Sequence, residues 1–93
     1  MQRKEEKIKL LRKRIEKIDE NIIKLVIRRL EIAKEIGLEK KRLGLEVYQP
    51  SIEEQVILRY SQGIKEGGYD ENIGKELAKC IISQSKKVQN GNI

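Results

Sequence analysis

RKEEKIKLLRKRIEKIDENIIKLVIRRLEIAKEIGLEKK, residues 3–41, is the stretch whose periodicity decides the fold. It contains no Pro and a single Gly, Gly37. Apolar residues fall at Ile8, Leu11, Ile15, Ile18, Ile22, Leu25, Ile32 and Ile36, with spacings of 3, 4, 3, 4, 3, 7 and 4. Alternating threes and fours keep side chains on one face of an α-helix, so the spacing predicts one helix over about residues 3–41. At about 1.5 Å per residue that helix is roughly 55–60 Å long. The rest of the chain is too short to cover such a rod, and a second copy of the chain is the simplest source of the missing burial.

Working outward, RLGLEVYQP at 42–50 carries Gly44 and Pro50 and breaks the period, which marks a loop. A second helix is expected over about 50–63. Either Pro50 occupies its first turn with Gln49 before it, or Ser51 and Glu54 form a capping box that starts it one or two residues later. Its apolar stripe is Ile52, Val56, Tyr60 and Ile64. GIKEGGY at 63–69 reads as a connector, and Asp70 as the N-cap of a third helix over about 70–89. Ile73, Leu77, Ile81 and Val88 are expected to face inward, and the terminal NGNI to fray. Nothing reads as a strand pair or a repeat. The expectation is an all-α single domain, 1–93, of three helices with a long first helix.

Composition narrows the chemistry. The chain has 93 residues, no His, no Phe or Trp, and one Cys. That argues against the usual zinc sites, Ser-His-Asp or Cys-His catalysis, and any disulfide within one chain, and no metal or cofactor is expected. Cys80, between Lys79 and Ile81, reads as a small core residue in a reducing compartment. No apolar run approaches the ~20 residues needed to span a bilayer, and the first residues lack an uninterrupted apolar signal region, so a cytoplasmic protein with no membrane partner is expected. The 21 Lys and Arg exceed the 15 Asp and Glu, for a net charge of +6. This raises a basic nucleic-acid-binding module as one alternative. The cations are interspersed with Glu throughout, however, and three Tyr offer little stacking, so no nucleic-acid partner is expected.

The gap of seven between Leu25 and Ile32 is filled by Arg29, a cation where periodicity asks for a hydrophobe. Arg29, Ala33, Ile36 and Lys40 follow at i, i+4, i+7 and i+11, so two cations share a stripe with a small residue between them. Such cations need anions to answer them, and a small dianionic ligand is one candidate. Ala78, Ile82, Ser85 and Gln89 likewise share a face of the third helix, an apolar stripe ending in a hydroxyl and an amide.

With these residues in place, LRKRIEKIDENIIKLVIRRLEIAKEIGLEK at 11–40 resembles the first helix of the all-helical (AroQ-class) chorismate mutases. The likeness continues through VYQPSIEEQVILRY and IISQSKKVQ to residue 89. It implies an intertwined homodimer in which each long helix serves two active sites. It also implies roles: Arg12 from the partner chain and Arg29 from the same chain bind carboxylates of the substrate, chorismate, with Ser85 assisting. Lys40 and Gln89 would contact the ether oxygen, and Glu53 would accept the ring hydroxyl. Two positions on the substrate-binding side depart from the family pattern. Gln49 stands where many members have Asp, and Ile52 stands where they have Arg, so Glu53 lacks a flanking cation while the carboxylate and ether sides are intact. The same fold carries an isochorismate-pyruvate lyase with a similar cationic pocket, which these departures keep as the alternative. A rearrangement of chorismate to prephenate in phenylalanine and tyrosine biosynthesis suits a chain without His, because a pericyclic step needs no nucleophile or proton transfer. It needs the substrate held compact and donors for the charge that develops on the ether oxygen.

Overall fold

The computed structural model describes residues 2–91, with side chains from Lys4 onward. Asn92 and Ile93, the last half of the segment expected to fray, lie outside the described residues. Three helices make up the chain: α1 (Gln2–Leu43), α2 (Pro50–Glu66) and α3 (Glu71–Gln89). The molecule is elongated, 63 × 27 × 14 Å, because α1 alone sets its longest dimension.

The caps explain where each helix stops. At the end of α1 the Leu45 N–H donates to the Lys40 carbonyl at 2.7 Å and the Gly44 N–H to the Lys41 carbonyl at 3.2 Å. That pattern requires a left-handed residue just past the helix, and Gly44 supplies it with φ +71°. Of the two starts open to α2, the chain takes the one with Pro50 at the first helical position. Gln49 is extended before it, and its carbonyl accepts from the N–H groups of Ile52 and Glu53, both at 3.1 Å. α2 runs past Gly63 to Glu66, since a single helical Gly weakens a helix without ending it, and the chain reverses two residues later at Gly68. Asp70 caps α3 by accepting from the Asn72 N–H at 3.0 Å.

α3 is the central element, packed on α2 along one side and on the C-terminal half of α1 along another; among the described residues α1 and α2 make no backbone-to-backbone approach of their own. The core is small: Val56, Ala78 and Ile82 are buried, with Ile57 and Tyr60 against them. Two glycines let backbones meet. A Cβ on Gly37 would lie 2.6 Å from the Gln89 carbonyl oxygen, and one on Gly74 would lie 2.8 Å from the Ser61 Cα.

The inward face of α3 differs from the apolar stripe expected of it. Gly74, Ala78, Ile82 and Ser85 are buried, Ile81 and Val88 are half-buried, and Ile73 and Leu77 are exposed. The helix is rotated to bring its small residues against α2 and α1, because close approach of two backbones gains more contact than the large side chains would allow. The same rotation turns Cys80 outward, so it is exposed and not a core residue in this chain. Ile52 and Ile64 in α2 also deviate from a buried stripe, Ile52 being exposed and Ile64 half-buried. The long seam of α1, from Ile8 to Ile36, is exposed along its whole length.

Candidate active site

Where α1, α2 and α3 converge, a cavity of about 440 Å³ opens between them. α1 contributes Arg29, Ala33, Ile36 and Lys40, the stripe that carries two cations. α3 contributes Ile82, Ser85 and Gln89 from the face that packs inward. The loop and the first turns of α2 contribute Gln49, Ile52 and Glu53. The chain therefore brings Arg29, Lys40, Gln49, Ile52, Glu53, Ser85 and Gln89 to one cavity. Arg12 is elsewhere, exposed on the part of α1 that packs on nothing among the described residues.

Local structure accounts for how these side chains are held. Arg29 lies one turn before Ala33 on α1, facing α3, and its Nη1 donates to the Ser85 hydroxyl. The guanidinium keeps further N–H groups for an anion. Lys40 sits in the last turn of α1, where the Gly44 cap turns the following loop back, and its ammonium donates to the Val47 carbonyl at 3.1 Å. The same ammonium donates to Gln89 Oε1 at 2.8 Å. An amide whose oxygen is occupied by a cation has its NH₂ left to donate, so this bond selects the amide orientation that a ligand oxygen needs. Gln89 can reach Lys40 because Gly37 admits the end of α3 against α1.

Glu53 is half-buried, and among the described residues no donor bonds its Oε2. Lys86 Nζ lies 3.2 Å from that oxygen, within ion-pair distance but not aligned as a hydrogen bond. That oxygen lies beside the cation and is shielded from solvent, which leaves the carboxylate's other oxygen to meet a hydroxyl. Lys86 also lies over the Tyr48 ring, 5.1 Å from its centroid.

Lys86 and Tyr48 are cavity-region residues that the sequence reading did not single out. The signal was available, since Lys86 follows Ser85 and precedes Gln89 by three residues, nearly one helical turn. A Lys-Lys pair near a helix C-terminus ordinarily serves the helix dipole, which hid it. In all, the cavity carries the cations Arg29, Lys40 and Lys86 against the anion Glu53. That excess of positive charge, over an apolar floor of Ala33, Val56 and Ile82, fits a small anion with a hydrocarbon frame.

Comparison with known proteins agrees in kind. The chain is 34% identical over 84 residues to a chorismate mutase of Methanocaldococcus jannaschii, covering 90% of this chain and 85% of that protein. It is 32% identical over 91 residues to a bifunctional chorismate mutase/prephenate dehydratase of Aquifex aeolicus, of which it spans 25%. Among solved structures, a conserved hypothetical protein from Pyrococcus furiosus superposes with a TM-score of 0.76 at 39% identity, over 90% of this chain and 96% of that one. The chorismate mutase type II family matches residues 11–90, and with these relatives it shows that this chain belongs to the chorismate mutase type II family.

Proposed function

We infer that the chain catalyses the rearrangement of chorismate to prephenate as a homodimer, each pocket being completed by Arg12 of the partner chain. The observation that carries this reading is the meeting of Arg29, Ser85, Lys40 and Gln89 in one cavity. A guanidinium held by a hydroxyl is a fork for a carboxylate. An ammonium and an amide bonded to each other form a double donor, positioned in advance for the oxygen whose bond breaks.

The reaction needs a flexible dicarboxylate folded into a compact chair-like form and charge stabilised at the ether oxygen as the carbon–oxygen bond lengthens. In this reading Arg29, assisted by Ser85, fixes one carboxylate and the partner's Arg12 the other. Glu53 accepts from the ring hydroxyl, with Gln49 and Ile52 lining that side of the pocket. Lys40 and Gln89 donate to the ether oxygen. No group gives up or takes a proton, so the donors act by position alone.

The dimer in this reading is supported by the exposed apolar seam of α1 and by the absence of any α1–α2 backbone approach among the described residues. Arg12 and Arg29 are seventeen positions apart, roughly 25 Å along one helix, so no single small substrate reaches both from one chain. A cytoplasmic site of action is part of the proposal, in keeping with a lone thiol. No described helix is long and apolar enough to cross a membrane. The direct test is to assay the purified chain with chorismate and with isochorismate. Prephenate formation from the first, with no salicylate or pyruvate from the second, is the expected result; the reverse pattern would replace the reading with a lyase.

A further inference from the structure

Position 52 is Ile, so the residue preceding Glu53 offers it no cation. A half-buried carboxylate facing a dicarboxylate substrate repels it unless a positive charge stands close by. Among the described residues, the cation that pairs with Glu53 comes from another helix: Lys86 of α3, with Nζ 3.2 Å from Oε2. Its stem reaches across the cavity edge, and the ammonium is held from the loop side by the face of Tyr48, 5.1 Å away. Lys86 thus has two restraints, an aromatic face and a carboxylate, on elements that flank the pocket.

We propose that Lys86 is the positioning residue for the hydroxyl-binding side of the pocket: clamped between Tyr48 and Glu53, it neutralises Glu53 and fixes the orientation in which the carboxylate accepts the substrate's ring hydroxyl. This rests on the assignment of chorismate as substrate. The pair leaves the hydroxyl side with no net charge, so the excess positive charge lies with Arg29 and Lys40, where the carboxylates and the ether oxygen are read to bind. The ammonium stands against the solvent-shielded Oε2, so it supplies the field on that side and leaves the carboxylate's other oxygen to the ligand.

The test uses Lys86→Met, which keeps most of the stem and removes the charge. A hydroxyl contact made equally in the bound and transition states affects KM, so KM for chorismate should rise about 10-fold with kcat within about 3-fold. Two rescues are expected. Lys86→Arg should restore KM, and Ile52→Arg added to Lys86→Met should restore most of it by placing a cation beside Glu53 along the sequence. In a Glu53→Gln background the Lys86→Met change should add less than about 2-fold, since no charge remains to be neutralised. Circular dichroism and sedimentation should match the parent; if Lys86→Met does not fold, Lys86→Gln carries the same comparison.

An unchanged KM in an active, folded Lys86 variant would overturn the proposal. So would an effect of equal size with and without Glu53, which would make Lys86 a direct ligand of the substrate. Absence of chorismate turnover in the parent chain is a different failure, that of the substrate assignment itself.

Discussion

Two neighbouring stripes of α1 meet opposite fates. Ile18, Ile22 and Leu25 are 56%, 50% and 59% exposed, whereas Ala33 is 4% exposed and Gly37 is buried. The stripe with the smallest side chains receives α3, and the stripe with the largest is left open. Close packing favours small residues where backbones approach, while a row of Leu and Ile suits knobs-into-holes packing against another long helix. The open stripe runs on to Ile8, far beyond anything α2 or α3 touches. One helix therefore carries a seam for its own chain and a second, longer seam, which the proposed dimer would cover.

The largest effect should come from that open seam. In the isolated chain Ile15 and Ile22 are 56% and 50% exposed, so replacing them would ordinarily change stability by about 0.5 kcal/mol or less. If the seam is an interface, Ile15→Asp with Ile22→Asp should abolish both the dimer and chorismate turnover, as read by sedimentation and assay. An active, well-folded variant would return the seam to solvent.

Arg29 lies between the stripes. Arg29→Ala should lower turnover by at least ~10²-fold, the loss expected for a charge-assisted contact in a dry site. Thermal stability should hold, because among the described residues its side chain bonds the Ser85 hydroxyl and pairs with no carboxylate. Unfolding with activity retained per folded molecule would make Arg29 structural.

A third variant probes the polar end of the inner stripe. Gln89 is neutral and donates at any pH, so parent turnover should stay nearly flat from about pH 5 to 8. Gln89→Glu donates only when protonated. Its activity should therefore rise as pH falls through the carboxyl range and be lost as pH rises. A parent profile that already collapses on one side would contradict the role given to the amide.

Gly37→Ala should have the smallest effect. Helix propensity alone predicts a gain of up to about 1 kcal/mol, but the new Cβ would lie 2.6 Å from the Gln89 carbonyl. Steric cost should win, lowering stability by about 1–3 kcal/mol and disturbing the Lys40–Gln89 bond. A rise in melting temperature would show that α3 can give way there.

The same contrast explains what was legible in the sequence. Three helices and their breaks follow from periodicity, Pro50, Gly44 and Asp70, because those signals are local. The residues that meet in the cavity were visible as departures from periodicity: Arg29 and Lys40 on an apolar helix, Ser85 and Gln89 at the end of an apolar face. Which face packs was not visible. A search for large hydrophobes selects Ile73 and Leu77, while the contacts are made by Gly74, Ala78 and Ser85, whose value lies in their small size. Cys80 was misplaced for the same reason. Lys86 was missed because its partners, Tyr48 and Glu53, are distant in sequence and only folding brings them to it.

Sharing of each pocket between two chains is tested most directly by complementation. Arg12→Ala and Arg29→Ala chains, each inactive alone, are mixed in equal amounts, unfolded and refolded together. In a mixed two-fold dimer one pocket carries both lesions and the other neither, so about a quarter of all pockets should be intact. Recovery of activity near that fraction is the predicted result. No recovery, with mixed dimers shown to have formed, would mean that Arg12 does not serve the pocket of its partner.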